Sequence, residues 1–349
     1  MKRFPKASAF TLVELMVATT LLSVLLIILA SITNQTSNTL RYTTSKVEQF
    51  KSAREAFEAV TRRLSQATLN TYWDYEWTGS GTSRVPSKYV RQSELRFWSG
   101  ATQTAAGATP LRPGHGVFFQ APLGFVNRTK EFGGLDNLLN TWGYYVEFNN
   151  EDDFRPPFVN SMNPPIPDRY RYRLMELMQP SNEMELYSLT AGGTGTATTY
   201  TSTDWIKNAL APTTTARAPV HILSENVISF VLLPKLSEAE DPTGVRLAPG
   251  YSYDSTVTVA DPEINPKNQL PPLVQVTMVA IDETSAARVA NGATLPDLGL
   301  EGLFQTGGTD AGNYDSDLEV LTKGLSERRL NYRVFSTHVS IRAAKWSRD

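Results

Sequence analysis

No proline or glycine occurs between Lys6 and Thr78, and these are the residues that break helices most readily. A chain with such a stretch is committed to one long N-terminal helix. Its first part, Phe10 to Ile32, is apolar, and Glu14 is the only ionisable side chain in those 23 residues. At 1.5 Å per residue the run spans about 35 Å, enough to cross a membrane. Lys2, Arg3 and Lys6 precede it, which favours a cytoplasmic N-terminus and an outward-facing remainder. A carboxylate at that depth costs roughly 2.5–3.5 kcal/mol near a bilayer centre. It calls for a partner, and the segment itself is expected to offer none.

Three readings of the segment compete. A secretory signal peptide cut near Ala30 has a poor small-x-small site in Ile28 and Ala30, and a glutamate in its apolar core would be unusual. A plain membrane anchor leaves Glu14 without a role. The third reading is a prepilin-type leader cut between Ala9 and Phe10. The stretch Ala9, Phe10, Thr11, Leu12, Val13, Glu14 resembles that family closely. The resemblance implies cleavage by a prepilin peptidase, N-methylation of Phe10, and a glutamate at mature position five. It also implies that Glu14 pairs with the terminal amine of a neighbouring subunit, so that each charge relieves the other's desolvation. Ala9 stands where the family usually has glycine, a difference of one methyl group.

Beyond the apolar run, Thr43, Val47, Phe50, Ala53, Phe57, Val60, Leu64 and Ala67 recur at steps of three and four, an amphipathic helical stripe. Lys51–Glu55, Arg54–Glu58 and Glu58–Arg62 form i,i+4 pairs on the other face. A helix over about 10–69 would be roughly 90 Å long. Small residues in the stripe and its short extent favour packing on a sheet of the same chain over a coiled coil. Pilin-like proteins lay the outer half of their first helix on an antiparallel sheet. Many type IV pilins have proline at mature position 22, where this chain has Ser31, so the unbroken helix leans towards the pseudopilins.

From residue 79 the chain reads as short strands separated by proline and glycine clusters. Strands are predicted at 92–98, 116–120, 143–149, 169–177, 183–189, 226–233, 273–281 and 331–343. The fold expected is α+β and pilin-like: a long N-terminal helix, its outer half on an antiparallel sheet, and a large β-rich head. The boundaries are a leader at 1–9, a membrane or filament-core half-helix at 10–32, an amphipathic outer half at 33–70, and a head at 71–349. The glycine- and threonine-rich stretch 191–203 is predicted to be a loop.

Composition narrows the chemistry. Thirty-three basic against 35 acidic side chains give no electrostatic reason to expect a nucleic-acid partner. RYRYR at 169–173 interleaves basic and aromatic residues, a pattern seen in single-strand binders. Period two explains it more simply, with Tyr170, Tyr172 and Leu174 on one strand face and the arginines on the other. The absence of cysteine removes disulfides and thiolate chemistry. Three histidines, His115, His221 and His338, are a thin basis for a catalytic centre, and no nucleotide or hydrolase motif stands out. An enzyme and a small-molecule substrate are not expected. The loop 307–319 gathers Asp310, Asn313, Asp315, Asp317 and Glu319, oxygen ligands suited to a structural calcium ion. A solvated turn is the simpler account, and 150–155 and 237–242 likewise read as solvated acidic loops.

Within the superfamily, residues 44–76 and 88–100 resemble the pilin-like proteins called Verru_Chthon cassette protein C. AREAFEAVTRRLSQA (53–67), RYRLMEL (171–177) and ENVISFVLL (225–233) more distantly resemble J-type pseudopilins of type II secretion. K-type tip subunits typically lack the glutamate, which argues against that role. These resemblances imply a minor pilin or pseudopilin in the inner membrane, with a cytoplasmic N-terminus and a periplasmic head. Its partners would be a prepilin peptidase and other pilin-like subunits. The alternative is an adhesin or ligand-binding module displayed on a pilin-type anchor; an exposed aromatic pocket in the head would favour it, and an exposed apolar edge near the helix would favour subunit contact.

Overall fold

The computed structural model describes residues 11–126, 138–187, 203–210 and 219–347. The predicted loop at 191–203 lies outside these residues except for Thr203. Helix α1 runs from Leu12 to Leu64, and the chain divides into two compact units, Met1–Gln49 and Phe50–Asp349. In the first unit, Leu12–Thr44 is long and apolar enough to cross a membrane, and none of the scored apolar window is buried.

In the second unit α1 becomes a packing element. Ala53, Ala56, Phe57, Val60 and Leu64 are buried at helical spacing, the seam the stripe predicted. Thr43 is exposed, and the side chain of Val47 lies outside the described residues. Among the described residues, burial of the stripe starts at half-buried Phe50 rather than at Thr43. The helix ends five residues earlier than the expected Leu69. There Gln66 N–H donates to Arg63 O and Ala67 N–H to Leu64 O in tight turns, and Thr68 N–H turns outward to Gln120 O at 2.9 Å.

Among the described residues the head contains three antiparallel sheets. Strands β1 (Tyr72–Thr78) and β2 (Val85–Gln92) form a hairpin. Strands β3 (Trp98–Ala101), β4 (His115–Pro122), β5 (Leu139–Asn149), β6 (Arg171–Gln179), β7 (Val220–Glu225) and β9 (Tyr253–Asp254) make a six-stranded sheet in the order β7-β6-β5-β4-β3-β9. Strands β8 (Val227–Lys235), β10 (Leu273–Ile281) and β11 (Tyr332–Ser340) make a three-stranded sheet ordered β11-β10-β8. In the middle of that sheet, β10 is an almost continuous apolar run, as a strand covered on both faces should be. Phe57 of α1 packs on Phe335 of β11 with ring centroids 5.8 Å apart. In the larger sheet, Gly143 lies opposite Phe118. A Cβ there would sit 2.4 Å from the Phe118 ring, so only glycine leaves room for it.

Three sequence expectations are corrected. Residues 93–97 are not a strand: Ser93 Oγ bonds Leu69 O and accepts from Leu95 N, while Gln120 Oε1 and Ser255 Oγ accept from Arg96 N and Phe97 N. Side chains thus satisfy the backbone that a ladder would otherwise pair. Residues 183–187 alternate apolar and polar but form 3₁₀ turns at Ser181–Glu183 and Glu185–Tyr187. Pro180 fixes the entry, and its carbonyl accepts from Glu183 N. The third is the supposed acidic loop, where a 3₁₀ turn at Asp310–Asn313 leads into a helix from Tyr314 to Glu327. Tyr314, Leu321 and Leu325 bury one face of it, an amphipathic pattern that the acidic residues obscured.

Among the described residues the shorter α-helices are α2 (Thr102–Ala106), α3 (Pro157–Asn160), α4 (Asp204–Leu210), α5 (Glu283–Val289) and α6, the Tyr314–Glu327 helix.

Candidate functional site at the start of the long helix

Thr11 and Glu14 close the N-terminus of α1 on each other. Thr11 N–H and Oγ1 donate to Glu14 Oε2 at 3.0 and 2.9 Å, and Glu14 N–H donates to Thr11 Oγ1 at 3.3 Å. Thr11 O accepts the first intrahelical bond, from Leu15 N at 3.2 Å. This is a reciprocal capping box on a T-x-x-E sequence. The carboxylate also faces the positive end of the helix dipole. The expectation that the segment offers Glu14 no partner is therefore corrected. The signal was present in the sequence as Thr11 three residues before Glu14. Oε1 has no partner among the described residues, so the cap engages one carboxylate oxygen and leaves the other available.

The rest of the apolar run is self-contained. Thr19, Thr20, Ser23 and Thr33 hydroxyls each donate to a carbonyl one turn back, at 2.8–3.0 Å. The helical backbone and these four hydroxyls thus need no water, the condition for a helix in hydrocarbon. Glu14 is the one charged side chain between Thr11 and Leu40. Thr11→Val should remove both hydroxyl contacts and cost about 1 kcal/mol of local helix stability. Hydrogen exchange in micelles checks this, with faster exchange confined to the first two turns.

Ala9 and Phe10 lie outside the described residues. The calcium candidates do not converge. Asp310 and Asn313 belong to the 3₁₀ turn, and Asp315 and Asp317 lie in the first turn of α6, where acidic residues complement the helix dipole. Asp317 Oδ2 accepts from Phe304 N at 2.9 Å. Among the described residues, no three His, Cys, Asp or Glu side chains group so as to hold a metal ion.

RYRYR leads into β6, which begins at Arg171, two residues after the predicted start. Tyr172 and Leu174 are buried as expected, but Arg171 and Arg173 are buried too. Arg173 Nη1 donates to Asn149 O and Oδ1, both at 2.6 Å, and its Nε lies 3.4 Å from Glu225. Arg169 reaches Glu225 and Glu151 at 3.0 and 3.3 Å, and Arg171 reaches Glu283 at 3.0 Å. The arginines are the cations of an ion-pair network with Glu151, Glu225 and Glu283.

A second cluster, missed in the sequence, joins α1 to the large sheet. The Arg63 guanidinium lies 4.3 Å above the Trp142 ring, pairs with Glu176, and donates to Tyr144 OH at 3.1 Å. Tyr144 and Glu176 are cross-strand partners on β5 and β6. Burial, reinforced by the Glu176 charge, pushes the Tyr144 phenol well above its ordinary pKa. The cluster fixes the rotation of α1 about its axis in the head. Read alone, Arg63 is one more basic residue in a helix's last turn.

Residues 5–30 match the prokaryotic N-terminal methylation motif. No curated protein and no solved structure matches the chain. The match covers the basic residue before the apolar run, the Ala9–Phe10 junction and Glu14, and it supports the prepilin, type IV pilin-like superfamily. The motif implies cleavage by prepilin peptidase and assembly with other pilin subunits. It marks a structural protein class rather than an enzyme family. With the apolar helix, it supports a single-pass membrane anchor.

Proposed function

We propose that the protein is a minor pilin or pseudopilin, a structural subunit of an inner-membrane filament of the type IV pilus or type II secretion kind. In this reading residues 1–9 are a cytoplasmic leader, 10–32 the filament-core half of the helix, 33–70 its outer half, and 71–349 a periplasmic head. The observation that carries it is the coincidence, on one segment, of the methylation motif, an unbroken apolar helix and a lone carboxylate with one oxygen uncommitted. In the isolated subunit Thr11 holds Glu14 at the helix start. On docking, Oε1 accepts the methylated amine of a neighbouring subunit's Phe10, and two costly charges neutralise each other. The likeness of 44–76 and 88–100 to Verru_Chthon cassette protein C, and of 53–67 to J-type pseudopilins, favours a minor role. So does the size of the head, which would crowd a helical array if repeated in every subunit.

Mass spectrometry of the N-terminal peptide from native membranes tests the processing step, with methylated Phe10 as the expected first residue. A peptide starting at Met1 leaves only a plain anchor; one starting near Ser31 means a secreted protein whose Glu14 is discarded. Glu14→Ala should leave the head folded and the leader cleaved but abolish co-purification with partner subunits. Undiminished co-purification would remove the assembly role from this carboxylate.

A further inference from the structure

The three-stranded sheet ends on an open edge. Strand β11 runs nine residues beside β10 with no bulge and no proline, and no strand lies on its other side among the described residues. Asp282 N–H donates to Asn331 O at one end of this ladder, and Ile341 N–H to Pro272 O at the other. Bonded pairs alternate along an antiparallel ladder, so the odd-numbered residues of β11 bond β10. Tyr332, Val334, Ser336, His338 and Ser340 turn their N–H and C=O outward, and none of these groups is bonded among the described residues. Arg333, Ser336, Thr337, His338 and Ser340 are exposed. The other edge strands are blunted in the ways natural sheets use. The β1–β2 pair is bulged, and β2 carries Pro86 and Lys88. Strand β7 has six residues and a register shift against β6, and β9 has two residues. Strand β8 ends in Pro234 and Lys235 and commits its Leu232 N–H to His115.

We propose that β11 pairs antiparallel with β11 of a second copy of this chain, centred on Ser336, and joins two three-stranded sheets into one. A row of unpaired backbone groups is satisfied by another strand, so the occupant is an extended backbone. Among the described edges of a second copy, β11 alone is long and unblunted, and it is therefore the one that receives its counterpart. Such pairing is isologous and closes on a two-fold axis instead of growing a fibre. The outward set fixes the register. With Ser336 facing its own copy, Tyr332 faces the partner's Ser340 and Val334 faces the partner's His338, so every outward residue meets an outward residue. Phe335 then lies opposite the partner's Thr337, a favourable aromatic and β-branched pair. Arg333, the one Lys, Arg, Asp or Glu of the strand, lies opposite the partner's Val339, and like charges do not meet. A filament relates its subunits by a screw, in heterologous contacts, and does not generate this two-fold. The pair is a state of the subunit outside the regular array and does not depend on leader processing.

The chain has no cysteine, so an engineered thiol reports on one position. The test keeps the full chain in native membranes, with a mild oxidant and non-reducing gels as the readout. Directly opposed residues of a bonded antiparallel pair have Cα atoms about 5.5 Å apart, within disulfide reach. Ser336→Cys should therefore link to itself in about tenfold higher yield than Ser87→Cys on the β1–β2 hairpin, which sets the level of random collision. His338→Cys should stay at that level, because its own copy lies four residues along the ladder, about 14 Å away. Co-expressed Val334→Cys and His338→Cys chains should link to each other, which keeps the test open if Ser336→Cys loosens its bond to Thr277. Adding Ser336→Lys to both chains sets two lysines face to face and should abolish that link. Ser336→Cys and the mixed pair both at the Ser87→Cys level, His338→Cys linking to itself as readily, or a linked species whose mass is not that of two copies would each overturn the proposal.

Discussion

Arg173→Met should lower the stability of the head by about 3–5 kcal/mol, the cost of removing one partner from a buried, hydrogen-bonded charge cluster. Arg173 is fully buried, and burial itself lowers its pKa. Its guanidinium is held because two oxygens of Asn149 and the carboxylates of Glu225 and Glu151 surround it. Methionine fills the volume but leaves Asn149 O without that donor and Glu225 short of a cation. Arg169 meets the same Glu225 and Glu151 from a site whose side chain is 40% exposed, so Arg169→Met should cost no more than about 1 kcal/mol. Urea unfolding measures both, with the midpoint shifting and the slope unchanged. Arg173→Lys keeps the charge but loses the planar fork, and should fall between the two. Equal losses from Arg169→Met and Arg173→Met would mean that burial does not set the value of these pairs.

The same strand shows how much the sequence could disclose. Period two located β6 and the buried face of Tyr172 and Leu174, because alternation is a local property of the chain. It could not show that the arginine face is covered as well, since Glu151, Glu225 and Glu283 reach it from three other segments. Arg63 was hidden for the same reason, because its partners Trp142 and Glu176 belong to strands far along the chain. The α1 stripe was legible from Ala53 onward, where spacing and burial coincide. The reverse error arose at 93–97 and 183–187, where side-chain acceptors and Pro180 replaced the ladder that alternation implied. At the helix start, Thr11 three residues before Glu14 is a capping-box pattern in the sequence, and it coincides with the family motif that masks it. The β1–β2 hairpin was overlooked because YWDYEWT lies just past the expected helix end, in a stretch still free of proline and glycine.

Between pH 7 and pH 5 the head should lose about 2 kcal/mol of stability through His115 alone. His115 stitches the two large sheets. It begins β4, and its Nδ1 accepts from Leu232 N, on β8, at 3.1 Å, while Nε2 lies 2.7 Å from Phe304 O. Leu232 N–H must donate, so Nδ1 carries no proton and Nε2–H donates to the carbonyl, which requires the neutral ring. Burial pushes the pKa down from 6.5 to about 4, against a smaller opposing effect of the two backbone contacts. The unfolded chain therefore takes up a proton near pH 6.5 that the folded chain refuses until about pH 4. This stability is fully present above pH 6.5, falls as the pH drops through that window, and levels off below pH 4. The carboxylates of Glu151 and Glu283, held below their ordinary range, release their own share only at lower pH, while Glu147, held above its ordinary range by burial, stabilises the fold on protonation and opposes the fall. His338, also lowered but only partly buried, adds a smaller loss in the same direction. Urea midpoints at half-unit steps measure the curve, and His115→Gln should fall much less steeply than wild type, keeping only the share of the remaining groups such as His338. A variant that falls as steeply as wild type would place the titrating group elsewhere. Protonation puts a hydrogen on Nδ1 and ends its acceptance from Leu232 N, while the Nε2–H bond to Phe304 O and the Asp317 bond to Phe304 N persist. The first opening should therefore appear as faster exchange of the Leu232 amide, with the α6 amides still protected.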